Sequence, residues 1–325
     1  MMNLRQLDLN LLVALDALLT DCNITEAGRR VHVTQSTMSG SLGRLREFFG
    51  DDLLVPAGRR MIPTPFAESL AQPVREALLQ IKTVLHAKPQ FDPATSTRRF
   101  SLMMSDYVST VLMPEVLRRV EEHAPGVSFD VQSNDVTNPH EVLDRADVDF
   151  LIMPEHFLSA EHPSEALYNE GYACLVWKDN PLVGTSISRE QYSKLGHVLL
   201  QYRTRAPFLD EWFLSKSGIV RRAEVLASSF NAVPQLVVGT RRIATVHRRL
   251  AEFYAQYLPL RIVPVPYEIP QLTEAVQWHR HFTDAPGHRW LRSILVDSAR
   301  RTGRECLALK TAISAEQCAR FPTRI

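Results

Sequence analysis

A polar face that recurs at helical spacing along residues 35–49 carries the side-chain types that read DNA. Met38, Leu42, Leu45 and Phe49 follow one another at steps of four, three and four, which predicts a helix with these side chains inward. Short polar and guanidinium groups on the opposite face suit base edges and phosphates in a major groove. That face is expected to hold Gln35, Ser36, Thr37, Ser39, Ser41, Arg44 and Arg46; all of these except Ser41, together with the N-cap Thr34, are the predicted DNA contacts. A solvated surface helix has the same pattern, so the flanking elements must decide between the two interpretations.

The segments around this helix complete a winged helix-turn-helix. Residues 24–31 have the spacing of a short amphipathic helix, and a three-residue turn separates them from the longer one. Residues 52–55 and 59–62 predict two short strands around a Pro-Ala-Gly turn. Arg59 and Arg60 lie at the tip of this hairpin, where they can reach phosphates or a minor groove. Both are added to the predicted DNA contacts, although an ordinary solvated turn would have the same sequence pattern.

Three stretches of sequence resemble the LysR-type transcriptional regulators. They are LDLNLLVALDALL, NITEAGRRVHVTQSTMSGSLGRLREFFGDDLL and the Pro-Thr-Pro of residues 63–65. Within the family they are most similar to the branch that holds the flavonoid-responsive nodulation regulators (NodD-like) and the regulators of aromatic catabolism that respond to salicylate-like acids. The resemblance is specific over residues 4–90 and looser to about 299. Ser36 and Thr37 stand where the family often has Pro or Ala, and Leu54 where it often has Phe, which affects the expected operator preference.

Composition is that of a two-part globular protein. The chain has 325 residues, 45% hydrophobic and 22% charged, and a net charge of +1. Residues 1–66 hold seven arginines against seven acids, so the positive charge must be segregated onto one face of the DNA-binding part. The four cysteines have no disulfide or zinc spacing. Because no signal-peptide core or long apolar run occurs, we expect a soluble, cytoplasmic protein with no membrane contact.

A helical stripe follows the hairpin. Phe66 begins it, and its predicted dimerisation residues are Leu70, Val74, Leu78, Ile81 and Leu85. The resemblance implies a linker helix that pairs with a second copy, whereas a core helix of one domain is the alternative. Residues 88–97, rich in Pro and Ser/Thr, mark a boundary. We therefore expect a DNA-binding domain at 1–66, a linker at 67–97, an effector domain at 98–299 and a C-terminal tail at 300–325.

The effector region alternates strands and helices, which favours an α/β fold with mainly parallel sheets. Strands are expected at residues 99–105, 127–133, 148–153, 172–177, 197–202, 223–228, 243–246, 260–265 and 275–278; helices are expected at 108–122, 139–146, 210–217, 230–238, 248–257 and 288–300. The resemblance implies two lobes similar to periplasmic solute-binding proteins. Lobe 1 would hold about 98–168 and 270–299 and lobe 2 about 169–269, with crossings near 167–172 and 266–274.

The cleft between the lobes is the expected ligand site. Ser105, Asp106 and Tyr107 end a strand and begin a helix, where backbone N–H groups favour a polar or anionic group, although capping of that helix explains the same residues. The resemblance adds the loop after Pro154, the segment from Gln201 to Thr204, the turn around Ser228 and the end of a later strand. The predicted inducer contacts are Ser105, Asp106, Tyr107, Pro154, Gln201, Tyr202, Arg203, Thr204, Ser228, Phe230, Thr245 and His247.

Other classes of function fit less of the chain. His279, His281 and His288 lack the spacing of a zinc site, and they are assigned to the return crossing instead. No nucleotide-binding, metalloprotease or serine-hydrolase motif occurs, so neither an enzyme nor a cofactor is expected. A solute-binding protein would explain residues 98–299 but not the DNA-binding part.

The sequence thus predicts a ligand-controlled regulator, acting as an activator of nodulation or aromatic-catabolism genes. Its expected partners are promoter DNA, a small aromatic inducer, further copies of itself in a dimer of dimers, and RNA polymerase. The alternative in the same branch is a symbiotic regulator that acts without an inducer. Residues 301–325 hold five basic residues against two acids and are expected to be a solvated tail.

Overall fold

The chain folds into two compact units, residues 1–88 and 89–325. The structure, a computed structural model, describes residues 8–58, 60–86, 91–133, 139–201 and 209–319. Each unit has its own hydrophobic core and is described by itself.

Helices and a two-stranded hairpin form the first unit. Its elements are α1 (Leu9–Asp21), α2 (Ile24–Arg30), α3 (Gln35–Phe49), β1 (Leu54–Ala57), β2 (Arg60–Pro63) and α4 (Pro65–His86). The side chains of Asp8, Asn23 and Thr34 accept backbone N–H groups at the starts of the first three helices. The core comprises Leu15, Leu18, Ala27, Met38, Leu45 and their neighbours. This order confirms the predicted winged helix-turn-helix.

The turn between α2 and α3 depends on a close backbone approach. A Cβ at Gly28 would lie 3.0 Å from the carbonyl oxygen of Val33, so a larger residue would push the turn away from α2. His32 takes a positive φ of 58°, which bends the chain sharply between the two helices. The tight turn fixes the angle at which α3 is presented.

Helix α4 uses part of its apolar stripe within the first unit. Val74 is buried, and Leu70 and Leu78 pack against the core that α1 contributes to. Arg75 Nε also lies 3.6 Å from Asp16 Oδ1 on α1. Ile81 is half-buried, and the side chain of Leu85 lies outside the described residues. The core interpretation therefore holds for the first half of the stripe. The prediction of a dimer contact is left to the remainder of the helix.

The second unit holds two five-stranded mixed sheets. Lobe 1 has the strand order β4-β3-β5-β12-β6 and lobe 2 the order β11-β7-β10-β8-β9. The strands are β3 (Arg99–Met104), β4 (Ser128–Ser133), β5 (Phe150–Pro154), β6 (Ser164–Glu170), β7 (Tyr172–Trp177), β8 (Gly196–Leu200), β9 (Arg222–Ala227), β10 (Ile243–His247), β11 (Leu260–Val263) and β12 (Leu272–Gln277). The helices are α5 (Asp106–Val111), α6 (Met113–His123), α7 (Pro139–Asp144), α8 (Arg189–Lys194), α9 (Leu209–Lys216), α10 (Ala232–Val237), α11 (Arg248–Tyr254) and α12 (Pro286–Ala319).

The expectation of mainly parallel sheets is wrong, although the two-lobed α/β architecture is confirmed. Strand β3 runs parallel to β4 and β5, and β8 runs parallel to β9 and β10. In contrast, β12 pairs antiparallel with β5 and β6, and β7 pairs antiparallel with β10 and β11. The antiparallel strands border the crossings, where the chain leaves one lobe and returns from the other direction.

Both crossings are shorter than expected. Residues 167–170 belong to β6, so the first crossing is confined to Gly171, and the second spans residues 264–271. The segment 278–292 is not the return crossing. It follows the last strand of lobe 1's sheet and holds a short 3₁₀ turn at Arg280–Phe282 and the start of α12. β6 was missed because its apolar residues do not alternate cleanly.

Among the helices, two predictions differ most from the structure. The expected helix 108–122 is divided at Leu112, because Pro114 has no N–H and instead stands in the first turn of α6. The last helix continues past Arg300 to Ala319, so residues 301–319, expected to be a solvated tail, have a helical backbone. Ala, Leu, Arg, Lys, Glu and Gln, which have high helix propensity, make up most of that extension.

Candidate DNA-binding and effector sites

The start of α3 presents a compact group of hydroxyls and an amide. Thr34 Oγ1 accepts the Thr37 N–H at 3.2 Å and lies within 2.9 Å of the hydroxyls of Ser36 and Thr37. Gln35, Ser36, Thr37 and Ser39 are all exposed, while the predicted inward residues Met38, Leu42 and Leu45 are buried. The exception is Ser41, which is buried and donates to the Thr37 carbonyl at 3.1 Å, so its placement on the outward face was wrong.

The two arginines of α3 have different surroundings. Arg44 is well exposed and lies 4.0 Å from the Asp8 carboxylate. Arg46 instead donates from Nε to the Asp52 carbonyl and from Nη2 to the Leu54 carbonyl, both at 2.7 Å. Its guanidinium therefore ties β1 to α3 and fixes the position of the hairpin relative to the helix.

The hairpin is an antiparallel pair in which Leu54 faces Pro63 and Ala57 faces Arg60. Gly58, with φ of +63°, supplies the left-handed residue that closes the turn. Arg60 is exposed at the start of β2, whereas Arg59 lies outside the described residues. The base of the hairpin is held by Asp51, whose Oδ1 accepts the Leu53 N–H and the Thr64 hydroxyl.

Three acidic groups of the first unit are engaged around α2 and at the base of the hairpin. Arg29 pairs with Glu26 at 2.6 Å and Arg30 with Asp21 at 2.7 Å, both around α2. Asp51 is turned into the hairpin base. Arg44 on α3 and Arg60 at the start of β2 are both exposed. A unit of low net charge can therefore still present a positive surface.

Three predicted inducer contacts meet where the two lobes join. The Tyr107 ring lies 4.3 Å from the His247 ring and 5.8 Å from that of Phe230, and Phe230 lies 5.2 Å from His247. Tyr107 comes from lobe 1, the other two from lobe 2. We call Tyr107, Phe230 and His247 the interlobe aromatic cluster. Burial lowers the pKa of His247 to about 4, so its imidazole is neutral.

The neighbouring residue Asp106 also bridges the lobes. Its carboxylate accepts the Ser229 hydroxyl at 2.7 Å, the Asn231 N–H at 3.0 Å and the Phe230 N–H at 3.3 Å. Ser105 is buried and its Oγ accepts the Val108 N–H, so it caps α5 as the alternative interpretation required. Asp106 is thus bonded to protein groups rather than left open to the cleft.

The remaining predicted contacts are dispersed. Thr245 bonds to the Tyr192 hydroxyl at 2.7 Å, beside the buried Cys174. Pro154 lies at the end of β5 opposite Glu274, and Gln201 and Ser228 are exposed near the ends of β8 and β9. Predictions at Tyr202, Arg203 and Thr204 fall outside the described residues.

Sequence reasoning missed a buried polar group beside the aromatic cluster. The Tyr107 hydroxyl donates to Glu170 Oε2, and Arg249 Nε lies 3.3 Å from the same oxygen. Arg249 also stacks 4.4 Å above the Tyr168 ring. Burial raises the pKa of Glu170, and the bonds from Tyr107 and Arg249 oppose that rise. A glutamate within an apolar stretch could have signalled the site, had β6 been recognised as a strand.

Glu274 is the second missed carboxyl. Only 2% of it is exposed, and its Oε2 has no hydrogen-bond partner within the described part of the chain. Burial, reinforced by the charge of Glu170, raises its pKa to about 8. The junction therefore contains an acceptor that nothing described there satisfies, which is uncommon in protein interiors.

In the described ranges, no residue group fits a metal site and no helix could span a membrane. Within them, no group of three or more His, Cys, Asp or Glu side chains is arranged to hold a metal ion. His279 and His281 have ring centroids 4.9 Å apart, and burial lowers the pKa of His279 to about 4. Among the helices described, none has the length and apolar character needed to cross a bilayer.

Comparisons with known proteins agree with both units. Residues 9–68 match the family described as bacterial regulatory helix-turn-helix protein, lysR family, and residues 94–300 match the LysR substrate binding domain. Nodulation protein D 2 of Rhizobium tropici is 44% identical over 92% of this chain and 95% of its own length. Nodulation protein D 1 of Rhizobium meliloti (strain 1021) is 44% identical over 92% and 97%. A probable transcriptional regulator of Pseudomonas aeruginosa of known structure is 28% identical, with a TM-score of 0.62 over 90% of this chain and 98% of that one.

Proposed function

The chain belongs to the LysR family of bacterial transcriptional regulators, and from this premise we propose that it activates promoters in response to a small phenolic or flavonoid-like molecule. Its target genes would serve nodulation or aromatic catabolism. The single observation that carries the inducer proposal is the convergence of the aromatic cluster with Glu170 and Glu274 at the lobe junction.

The proposed DNA contacts divide by chemistry. Gln35, Ser36, Thr37 and Ser39 would bond to base edges, since they are polar, exposed and close together at the start of α3. Arg44 and Arg60, with Arg59, would contact phosphates. Arg46 would act indirectly, because two of its N–H groups already hold β1 in place.

The proposed ligand chemistry follows from the groups at the junction. Aromatic rings of Tyr107, Phe230 and His247 favour a flat ring by stacking. A phenolic hydroxyl could donate to a buried carboxyl such as Glu274, which has an unsatisfied oxygen. Binding would shift the balance between lobe arrangements and thereby change the spacing of DNA-binding units.

Assembly is proposed to use α4. Its later residues, beginning near Ile81, would pack across a two-fold axis, and dimers would pair into a dimer of dimers on promoter DNA in the cytoplasm. An activator of this kind would also contact RNA polymerase. The solute-binding alternative is dropped, because the first unit belongs to a DNA-binding family.

A two-part experiment tests the proposal. Gel-shift titration of the full chain on promoter fragments of nodulation genes should show specific binding that exceeds binding to scrambled DNA. Thermal-shift measurements with neutral flavonoids, simple phenols and salicylate should then show stabilisation by at least one aromatic compound. Specific DNA binding without any stabilising compound would favour the inducer-independent alternative, and absence of specific binding would contradict the proposal as a whole.

A further inference from the structure

Asp106 connects the lobes through more contacts than a helix start requires. Its carboxylate belongs to α5 in lobe 1, while the donors from Ser229, Phe230 and Asn231 all lie between β9 and α10 of lobe 2. Hydrogen bonds to an ionised carboxylate are roughly twice as strong as neutral ones. A ligand that closed the lobes by accepting hydrogen bonds from lobe 2 would make contacts of the same kind.

The contact is reciprocal. The Asn231 side chain donates from Nδ2 back to the Asp106 carbonyl at 3.3 Å, and it accepts the Thr110 hydroxyl at 3.1 Å. Two residues of α5 are thereby held by one residue of lobe 2. We call the bonds among Asp106, Thr110, Ser229, Phe230 and Asn231 the lobe latch.

Other contacts between the lobes do not depend on the latch. Arg249 reaches Glu170 across the junction, and the Arg248 N–H bonds to the Gly171 carbonyl at 2.9 Å. Leu250 of α11 is buried in the core of lobe 1. Removing the Asp106 carboxylate should therefore loosen the lobes without unfolding either sheet.

We propose that Asp106 is a built-in latch, which holds the two lobes together in the absence of a small molecule and so gives the regulator a basal activity. This inference rests on the proposed function, in which the arrangement of the two lobes controls transcription. An internal group that favours one arrangement raises its population before any ligand binds. An inducer then needs to raise only the remaining fraction of molecules into this arrangement. The unliganded protein is therefore partly active.

The first test measures hydrogen exchange of the full chain without ligand or DNA. Asp106→Ala should accelerate exchange in the peptide containing Phe230 and Asn231 by at least about tenfold, since it removes several charge-assisted bonds. Ser229→Ala, which removes one donor, should accelerate it less. Asp130→Ala is the matched control, because this carboxylate lies on an exposed strand of lobe 1 and should leave that peptide unchanged. Tryptophan emission confirms that each variant is folded, as all four tryptophans belong to the second unit.

The second test measures reporter transcription in a defined medium without added aromatic compounds. Asp106→Ala should lower basal transcription several-fold, while gel-shift affinity stays near that of the wild type because the DNA-binding unit is separate. Unchanged exchange in Asp106→Ala would overturn the latch, and so would faster exchange with unchanged basal transcription. Failure of the wild type to bind promoter DNA would instead contradict the proposed function, while exchange still decides whether Asp106 holds the lobes.

Discussion

Replacing Arg46 by Met should destabilise the DNA-binding unit rather than remove a base contact. The substitution keeps the length of the aliphatic stem but loses the donors to the Asp52 and Leu54 carbonyls, both at 2.7 Å. A bond from a charged donor contributes about 1.5 to 3 kcal/mol when buried, and partial exposure reduces this to about 1 kcal/mol each. The free energy of unfolding of the DNA-binding unit is therefore expected to fall by about 2 kcal/mol.

Urea denaturation of the full chain can assign this loss to one unit. The first unit has no tryptophan, so tryptophan emission follows the second unit while far-ultraviolet circular dichroism follows both. With a denaturant slope near 1 kcal/mol per molar for a unit of this size, the midpoint of the first transition should fall by about 2 M. The tryptophan transition should stay where it is.

Arg44→Met is the matched control, because it changes the same side chain on the same helix at an exposed position. It should leave both denaturation transitions unchanged and weaken DNA binding across sequences. If Arg46→Met kept wild-type stability and weakened DNA binding as Arg44→Met does, Arg46 would be a DNA contact and the bracing role would be refuted.

Three further predictions concern recognition, assembly and pH. Gln35→Ala should lose about 1 to 3 kcal/mol of discrimination between operator and scrambled DNA. Arg60→Ala should weaken binding to both DNAs and reduce the dependence of affinity on salt. Gel-shift titrations at several salt concentrations compare the two variants, and equal behaviour would contradict the assignment of Gln35 to bases and Arg60 to phosphates. Ile81→Glu should give monomers by light scattering, because it places a charge in an apolar interface. The exposed control Gln80→Glu should stay dimeric. Dimers of both variants would exclude this part of α4 from the interface. Because the folded pKa of Glu274 is raised to about 8 from 4.5, its protonated form stabilises the fold fully below pH 4.5, and that contribution, about 5 kcal/mol at most, is lost as pH rises from 4.5 to 8. Glu274→Gln should therefore raise the melting temperature more at pH 8 than at pH 5; an equal change at both would show that Glu274 does not titrate in this range.

The DNA-binding unit was readily predicted because its signals are local. The period of 3.6 placed Met38, Leu42 and Leu45 in the core, and N-cap and turn residues marked the helix starts. Ser41 was misjudged because a hydroxyl can be buried on a helix when it bonds to the carbonyl four residues earlier, as it does to Thr37. Polarity alone does not reveal such a bond.

The lobe junction was only half predicted because its residues meet through strand pairing over long separations. Glu170 and Glu274 share a site because β6 pairs with β12, and Glu274 faces Tyr168 across that ladder. Local periodicity gave no sign of β6, so neither carboxyl was considered. Tyr107 was named from its place at the start of a helix, and Phe230 and His247 were named from the resemblance. The spatial relation among the three came only with the fold.

The position of Glu274 links the stability of the second unit to the proposed ligand. An acceptor buried without a partner destabilises a fold by about 1 to 3 kcal/mol. A ligand that donates a hydrogen bond to Glu274 would remove that penalty only in the bound state, so the penalty becomes part of the binding free energy. An aromatic compound without a hydroxyl would stack on Tyr107 and His247 but leave the carboxyl unsatisfied. Its affinity should then be lower by about tenfold or more, corresponding to about 1.4 kcal/mol, than that of the matching phenol.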